Sequence, residues 1–266
     1  MTEAQIVSQF SNVSCNPLDE GAQTMTGSAS SYQLGLRGVV HVPPRDFLNV
    51  GPSSDWTHLD SYIGPSTVLL PNQIFISNFN VPTRAFDKGF PTMNGDLVIG
   101  ADEQPLIEWF RLDFAGYLHL EETDEAGDYE FAVIADDGVS VKLGNQEIIR
   151  NDRVTPSYLS CTTQTVSLAK GMLYPIEVAY FQGPRYHIAL QMLWRKKIAG
   201  AEPLCGSLGN DLFYDSTKTP SEPTANYQAL LSRGWATVPP PNFTVPDGVD
   251  FNPCMSERVQ DIFSNM

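Results

Sequence analysis

Apolar and polar residues alternate with a period of two through most of the segment from residue 106 to residue 194. This alternation is typical of β-strands that bury one face and expose the other. The predicted strands are 109–114, 117–121, 129–135, 139–143, 147–149, 165–168, 174–181 and 186–194. Strands of this length and spacing predict an all-β fold, an antiparallel β-sandwich with long irregular loops.

The segments that flank residues 106–194 show a less regular pattern of apolar and polar residues. A strand is predicted at 35–42 and ends at Pro43-Pro44, because proline cannot donate to a strand ladder. Short strands are predicted at 68–70 and 74–76, within an irregular stretch from 43 to 105. A short helix with a threonine cap is predicted at 224–233, closed by Gly234, and a last helical turn or two at 256–263. We therefore divide the chain into a polar leader or linker (1–31), a sandwich (32–197) and a partly helical extension (198–266), which packs on the sandwich or links it to a partner.

The formal net charge is -15, from 31 acidic and 16 basic residues. So acidic a surface repels phosphate backbones and anionic lipids, which argues against nucleic acid and membrane partners. No apolar run approaches the roughly 20 residues that a membrane-spanning helix needs. The first ten residues do not resemble a signal peptide, so the chain is either a mature or excised fragment or is exported by another route.

Four cysteines allow three complete disulfide pairings, and the sequence does not choose among them. They are Cys15, Cys161, Cys205 and Cys254. A bond between Cys15 and Cys254 would pin the terminal segments, whereas buried free thiols are the alternative. No CxxC pair is present, which argues against a structural zinc site.

Two adjacent carboxylates, Asp136 and Asp137, stand between two predicted strands and are followed by Gly138. Neighbouring carboxylates repel each other unless a cation neutralises them, and calcium favours such hard oxygen ligands. Read alone, Asp-Asp-Gly is also a common hairpin turn. The pair is a poor glycosidase site, because carboxylates on one tight turn do not easily straddle a glycosidic bond. The sequence has no nucleophile elbow, phosphate loop or paired-histidine motif either, so we expect no enzyme.

Several motifs follow one another in the same segment: Phe114-Ala115-Gly116-Tyr117-Leu118, Gly127-Asp128-Tyr129-x-Phe131, Asp136-Asp137-Gly138, Leu168-x-x-Gly171-x-x-Tyr174 and Leu190-x-x-x-Trp194. Together they resemble the protective-antigen-type (PA14) β-sandwich family. The resemblance extends from about residue 32 to residue 195 and does not cover the tails.

Lectin members of that family hold calcium with an Asp–Asp pair joined by a cis peptide bond. The resemblance therefore implies that Asp136 and Asp137 form a first metal loop. A second metal loop is implied at residues 181–186, where Gln182 offers an amide oxygen and Gly183 and Arg185 offer main-chain carbonyls. The aromatic rings of Phe181 and Tyr186 flank this loop and are candidates for stacking on a sugar.

The predicted function is that of an extracellular, calcium-dependent lectin or adhesin domain. It would bind vicinal hydroxyls of hexose-like or fucose-like sugars on glycans, and weak single sites would rely on multivalent display. The 43–105 stretch would help to shape the sugar pocket. Two alternatives stay open: a metal-free structural or interaction domain of a fibre or toxin, and a non-catalytic accessory module of a glycosidase.

Overall fold

The computed structural model describes residues 23–24, 32–44, 56–65, 67–70, 74–100, 103–198 and 205–246. Within them, short polar turns separate strands rich in β-branched and aromatic residues. The strands are β1 (Gln23–Thr24), β2 (Tyr32–Leu34), β3 (Leu36–Val42), β4 (Val68–Leu69), β5 (Ile74–Ile76), β6 (Asn80–Ala85), β7 (Phe110–Leu118), β8 (Gly127–Asp136), β9 (Gly138–Leu143), β10 (Gln146–Asn151), β11 (Tyr158–Cys161), β12 (Val166–Leu168), β13 (Met172–Gln182), β14 (His187–Lys196), β15 (Tyr214–Asp215), β16 (Glu222–Pro223), β17 (Ala236–Thr237) and β18 (Phe243–Pro246). Helix α1 is Ala225–Ser232, and 3₁₀ turns occupy Leu59–Tyr62, Phe86–Lys88 and Pro240–Asn242.

Two antiparallel sheets form the body of the fold. In the larger sheet the order is β10-β9-β13-β7-β18-β2, and β3 also pairs with β7. In the smaller sheet the order is β11-β8-β14-β17, with β12 beside β8 and β6 beside β14. This arrangement confirms the predicted all-β antiparallel sandwich.

The main core lies between the two sheets. Val141 and Val178 of the larger sheet and Val133 and Leu190 of the smaller sheet belong to one buried cluster. Successive side chains of a strand point to opposite faces of its sheet. Each of these four side chains is on the face of its sheet that is turned toward the other sheet. Burial of each such side chain contributes about 1.5–3 kcal/mol to stability.

A second core cluster covers the outer face of the smaller sheet. There Ile134 and Leu193 pack against side chains from the C-terminal part of the chain. Those C-terminal side chains are Phe213, Tyr214, Tyr227, Leu230 and Trp235. Strands β8 and β14 are therefore buried on both faces over most of their length.

Residues 205–246 also contribute strands to both sheets. Strand β18 pairs with β7 and β2 in the larger sheet, while β17 pairs with β14 in the smaller one. A disulfide joins Cys161 at the end of β11 to Cys205. Cys15, Cys254 and the predicted turns at 256–263 lie outside the described residues.

The predicted strands 109–114 and 117–121 are wrong as separate elements, because the structure has one strand, β7, through both. Gly116 lies between the two predicted strands and allows a close approach of β18. A Cβ atom at residue 116 would lie 2.9 Å from the main-chain oxygen of Thr244. The strands that were not predicted are β1, β2, β6, β11, β15, β16, β17 and β18.

Helix α1 was predicted nearly to its ends, but its cap differs from the prediction. The hydroxyl of Thr224 donates to the carbonyl of Leu212 at 2.6 Å and does not accept from the helix. Gly234, with φ 81°, closes the helix as predicted. None of the helices in the described residues is long and apolar enough to cross a membrane.

Candidate functional site

Asp136 and Asp137 lie where the chain crosses from one sheet to the other. Strand β8, which ends at Asp136, belongs to the smaller sheet, and β9, which begins at Gly138, belongs to the larger one. The hairpin tip expected at this position is therefore wrong. The peptide bond between the two aspartates is cis, as the resemblance implies.

A second crossing runs beside the first. Residues 183–186 connect β13 in the larger sheet to β14 in the smaller one. Strand register aligns the two crossings, since Phe181 pairs with Gly138 and Ala189 pairs with Asp136. Gly138 is required here, because a Cβ atom at residue 138 would overlap the ring of Phe181. Both connections consequently meet at one end of the sandwich.

Three further groups hold the two carboxylates in place. Asp137 accepts from the main-chain N–H of Thr155 at 2.9 Å and from that of Gly183 at 2.7 Å. Asp136 accepts from the hydroxyl of Ser157 at 3.2 Å, and that hydroxyl also lies 2.9 Å from the hydroxyl of Thr83. The carboxylates are thus fixed by loops from both sheets.

Burial makes ionisation of this pair costly. Asp136 is 4% exposed and Asp137 2% exposed. Burial, together with the charge of Asp137, raises the pKa of Asp136 to about 8, although hydrogen bonds from Ser157 oppose the rise. Burial raises the pKa of Asp137 to about 7, against the hydrogen bonds from Thr155 and Gly183.

No basic side chain compensates these charges among the described residues. The ion pairs formed there all involve other acids. Nor do the described residues contain a group of three or more His, Cys, Asp or Glu side chains suited to a metal. A cation bound here would therefore need neutral oxygens to complete its shell.

A buried tyrosine ties the two crossings together. The hydroxyl of Tyr180 lies 2.6 Å from the main-chain oxygen of Asp136 and 2.6 Å from Oε1 of Gln182. Burial, with added effects of both carboxylates, raises the pKa of Tyr180 well above its usual value, so the hydroxyl is a hydrogen-bond donor. Tyr62 approaches from the 3₁₀ turn and donates to the main-chain oxygen of Trp56 at 3.2 Å.

The structure turns the side chain of Gln182 inward. Its Oε1 faces Tyr180, its Nε2 donates to the main-chain oxygen of His187 at 2.9 Å, and the residue is fully buried. These contacts let Gln182 position the two crossings, and its role as a side-chain metal ligand stays a prediction.

The other two predicted ligands lie in the second crossing. The carbonyl of Gly183 accepts from the N–H of Trp109 at 3.3 Å. The main-chain oxygen of Arg185 receives no hydrogen bond from the described residues, and the Arg185 side chain is exposed, with Nε 3.4 Å from Oε2 of Glu108. Arg185 therefore offers the freer carbonyl of the two.

The two aromatic candidates differ in solvent exposure. Phe181 is fully buried and stacks on Tyr62, with ring centroids 5.5 Å apart. Its ring belongs to the core, which corrects its predicted role in sugar stacking. Tyr186, in contrast, is 75% exposed at the end of the second crossing.

Sequence reasoning missed the loop between β10 and β11. It supplies Thr155 and Ser157 to the carboxylates and places Val154, 37% exposed, next to Gly183. Asn210 of the C-terminal segment supports this loop by accepting from the N–H of Ser157 at 3.3 Å. Thr155 acts through its main-chain N–H, which every residue except proline carries, so no sequence signal marks it.

The donor set fits calcium in part. Two carboxylates that lack a compensating cation, with a main-chain carbonyl nearby, are hard oxygen donors of the kind calcium prefers. Because the amide oxygen of Gln182 already accepts from Tyr180, fewer protein oxygens are left for a cation than the sequence suggested. The remaining positions of a six- to eight-coordinate ion would be left to water or to ligand hydroxyls.

Residues 101–205 match the family model of the PA14 domain. No curated protein sequence matches the chain. Among solved structures, the PA14 domain of the MpAFP antifreeze protein is 17% identical, with 66% of this chain and 89% of that chain covered and a TM-score of 0.44.

Two sugar-binding proteins are similarly distant. The PA14 sugar-binding domain from an RTX adhesin is 17% identical, covering 61% of this chain and 89% of its own, with a TM-score of 0.42. The epithelial adhesin 9 A domain from Candida glabrata, solved with Galβ1-4GlcNAc, is 12% identical, covering 71% and 91%, with a TM-score of 0.44.

Proposed function

We propose that this protein is a calcium-dependent carbohydrate-binding module. The observation that carries the proposal is the pair of buried carboxylates at the first crossing, which have no compensating cation among the described residues. Two such charges are costly in a protein interior, and a bound divalent cation would offset that cost.

In this proposal Asp136 and Asp137 anchor calcium through their side chains, and Arg185 and Gly183 supply main-chain oxygens. Thr155, Ser157 and the N–H of Gly183 orient the carboxylates. Gln182 and Tyr180 hold the two crossings together. When bound, calcium would neutralise the pair and accept hydroxyl oxygens in place of water.

A sugar with adjacent hydroxyls is the ligand class that this arrangement suits. Two neighbouring sugar hydroxyls would fill the calcium positions that protein oxygens leave open. The exposed ring of Tyr186 in the second crossing offers a surface on which a sugar could stack. The match of residues 101–205 to the PA14 domain, a family that includes sugar-binding adhesins, supports the same class. We propose hexose-like or fucose-like units, held weakly at each site and strengthened by multivalent display.

We propose an extracellular or cell-surface location. The disulfide between Cys161 and Cys205 is the supporting observation, since disulfides persist mainly in oxidising compartments. The acidic surface also argues against nucleic acid and anionic membranes as partners.

A metal-free structural domain is the second candidate, and one observation favours it. Both oxygens of Asp137 already accept main-chain hydrogen bonds, and raised pKa values allow the pair to be protonated near neutral pH. In that case the pair would only fasten loops to each other.

Calorimetric titration with calcium at pH 7.5 separates the two candidates. We expect saturable binding to the wild type, none to Asp137→Ala, and unchanged binding to Asp96→Asn, an exposed acid elsewhere. The titrated protein is then applied to a glycan array with calcium or EDTA. Calcium binding without EDTA-sensitive glycan signal would contradict the lectin, and the absence of any calcium heat would favour the metal-free domain.

A further inference from the structure

A second candidate site lies under the hairpin formed by β15 and β16. The hairpin loop, the end of β6 and the 3₁₀ turn Phe86–Lys88 line a half-open cavity of about 390 Å³. Its lining residues are Pro82, Arg84, Ala85, Lys88, Ser216, Lys218, Thr219, Pro220 and Ser221. The cavity is of the size that small organic ligands occupy and is much larger than a bare inorganic anion needs.

The charge of this lining is opposite to that of the protein. Three of its nine residues are basic and none is acidic, although the chain has 31 acidic and only 16 basic residues. The nearby acids Asp87, Asp211, Asp215 and Glu222 do not line the cavity, although Asp211 accepts from the N–H and hydroxyl of the lining residue Ser216 at 2.9 and 2.7 Å. Asp215 is occupied by Thr217, whose N–H and hydroxyl donate to it at 3.0 and 2.6 Å.

The basic side chains lack acidic partners within the described part of the chain. Neither Lys88 nor Lys218 forms an ion pair there. Arg84 donates through Nη2 to the carbonyl of Gly89, while its buried Nε has no partner. Burial lowers the pKa of Arg84, so an anion close to it would offset a real desolvation cost.

The rest of the lining suits a hydroxylated ring. Pro82, Ala85 and Pro220 provide apolar walls, and Thr219 and Ser221 provide hydroxyl groups. We propose that this cavity binds a small acidic sugar, with its carboxylate or sulfate group facing Arg84, Lys88 and Lys218. This binding requires no calcium and does not depend on the function proposed for Asp136 and Asp137.

Calorimetry in EDTA with glucuronate, galactose 6-sulfate, glucose and inorganic sulfate tests the proposal. We expect the two acidic sugars to bind, glucose to bind at least about tenfold more weakly, and the affinity to fall with added salt, because charge-assisted hydrogen bonds supply the difference. The glucuronate and galactose 6-sulfate titrations together distinguish a carboxylate from a sulfate preference.

Charge-reversal variants identify the residues. Lys88→Glu combined with Lys218→Glu should weaken the acidic sugars at least about tenfold, since both lysines are exposed and the change leaves the fold intact. Lys197→Glu, an equally exposed lysine outside the cavity, should leave binding unchanged. Equal weakening by Lys197→Glu, equal binding of glucose, or sulfate ion binding as tightly as the acidic sugars would each overturn the proposal.

Discussion

Replacing Asp136 with asparagine should stabilise the protein without calcium and remove the stabilisation that calcium gives to the wild type. Asparagine removes the charge but keeps an oxygen that accepts from Ser157, which lies 3.2 Å from Oδ2 of Asp136. The variant therefore isolates the cost of ionising a buried carboxylate. Stability is measured by thermal and urea unfolding at several pH values, in EDTA and in excess calcium.

The magnitude without metal follows from the pKa of Asp136, which burial and the charge of Asp137 raise to about 8. In an unfolded chain an aspartate has a pKa of about 3.9. Between these values the folded state keeps a proton that the unfolded state has lost, so stability falls as pH rises from about 4 to about 8. At about 1.4 kcal/mol per pH unit, the loss has an upper bound of about 6 kcal/mol.

Above pH 8 in EDTA, we therefore expect Asp136→Asn to be more stable than the wild type. In calcium at a hundred times its Kd, binding adds about 2.7 kcal/mol to the wild type alone, or roughly 5 °C in Tm. The stability advantage of the variant then shrinks by that amount. Identical pH profiles in EDTA, or equal stabilisation of both proteins by calcium, would refute the reasoning.

Three further variants test neighbouring parts of the structure. Changing Cys161 and Cys205 to serine opens a link across 44 residues and should lower the free energy of unfolding by about 4 kcal/mol, measured by urea unfolding; an unchanged midpoint would contradict this. Gly138→Ala forces a Cβ atom into Phe181 and should cost about 1–3 kcal/mol, whereas Gly64→Ala meets nothing within 4 Å and should be near neutral. Tyr186→Ala should weaken sugar binding but leave the calcium affinity unchanged in calorimetry, and a lost calcium signal would reassign that residue.

The strand pattern could be predicted because each strand carries its own signal. Alternation of apolar residues marks the inner face wherever a strand is buried on one side. The same signal does not say which sheet a strand joins. Ala135 and Val139 both belong to the main core cluster, although one lies in the smaller sheet and the other in the larger. Alternation alone therefore does not distinguish this connection between two sheets from a hairpin.

The residue types of the site could be predicted from the sequence, but the directions of their side chains could not. The two carboxylates stood out because their chemistry is unusual at a turn. Whether Gln182 faces the carboxylates or the core depends on Tyr180, whose hydroxyl lies 2.6 Å from the amide oxygen. The orientation of the Gln182 side chain is therefore set by packing in three dimensions. Thr155 contributes only its main-chain N–H, a group that the side-chain sequence does not reveal.

The position of the carboxylates at a crossing is what would make them a binding site. A hairpin tip can swing outward and place its charges in water, which would relieve their repulsion at little cost. This connection cannot, because β8 and β9 are anchored in different sheets and Gly138 lies against the ring of Phe181. Asp137 is held in addition by the N–H groups of Thr155 and Gly183. The fold thus keeps two acids close together and buried, so that a bound cation or a retained proton is the remaining way to lower their energy.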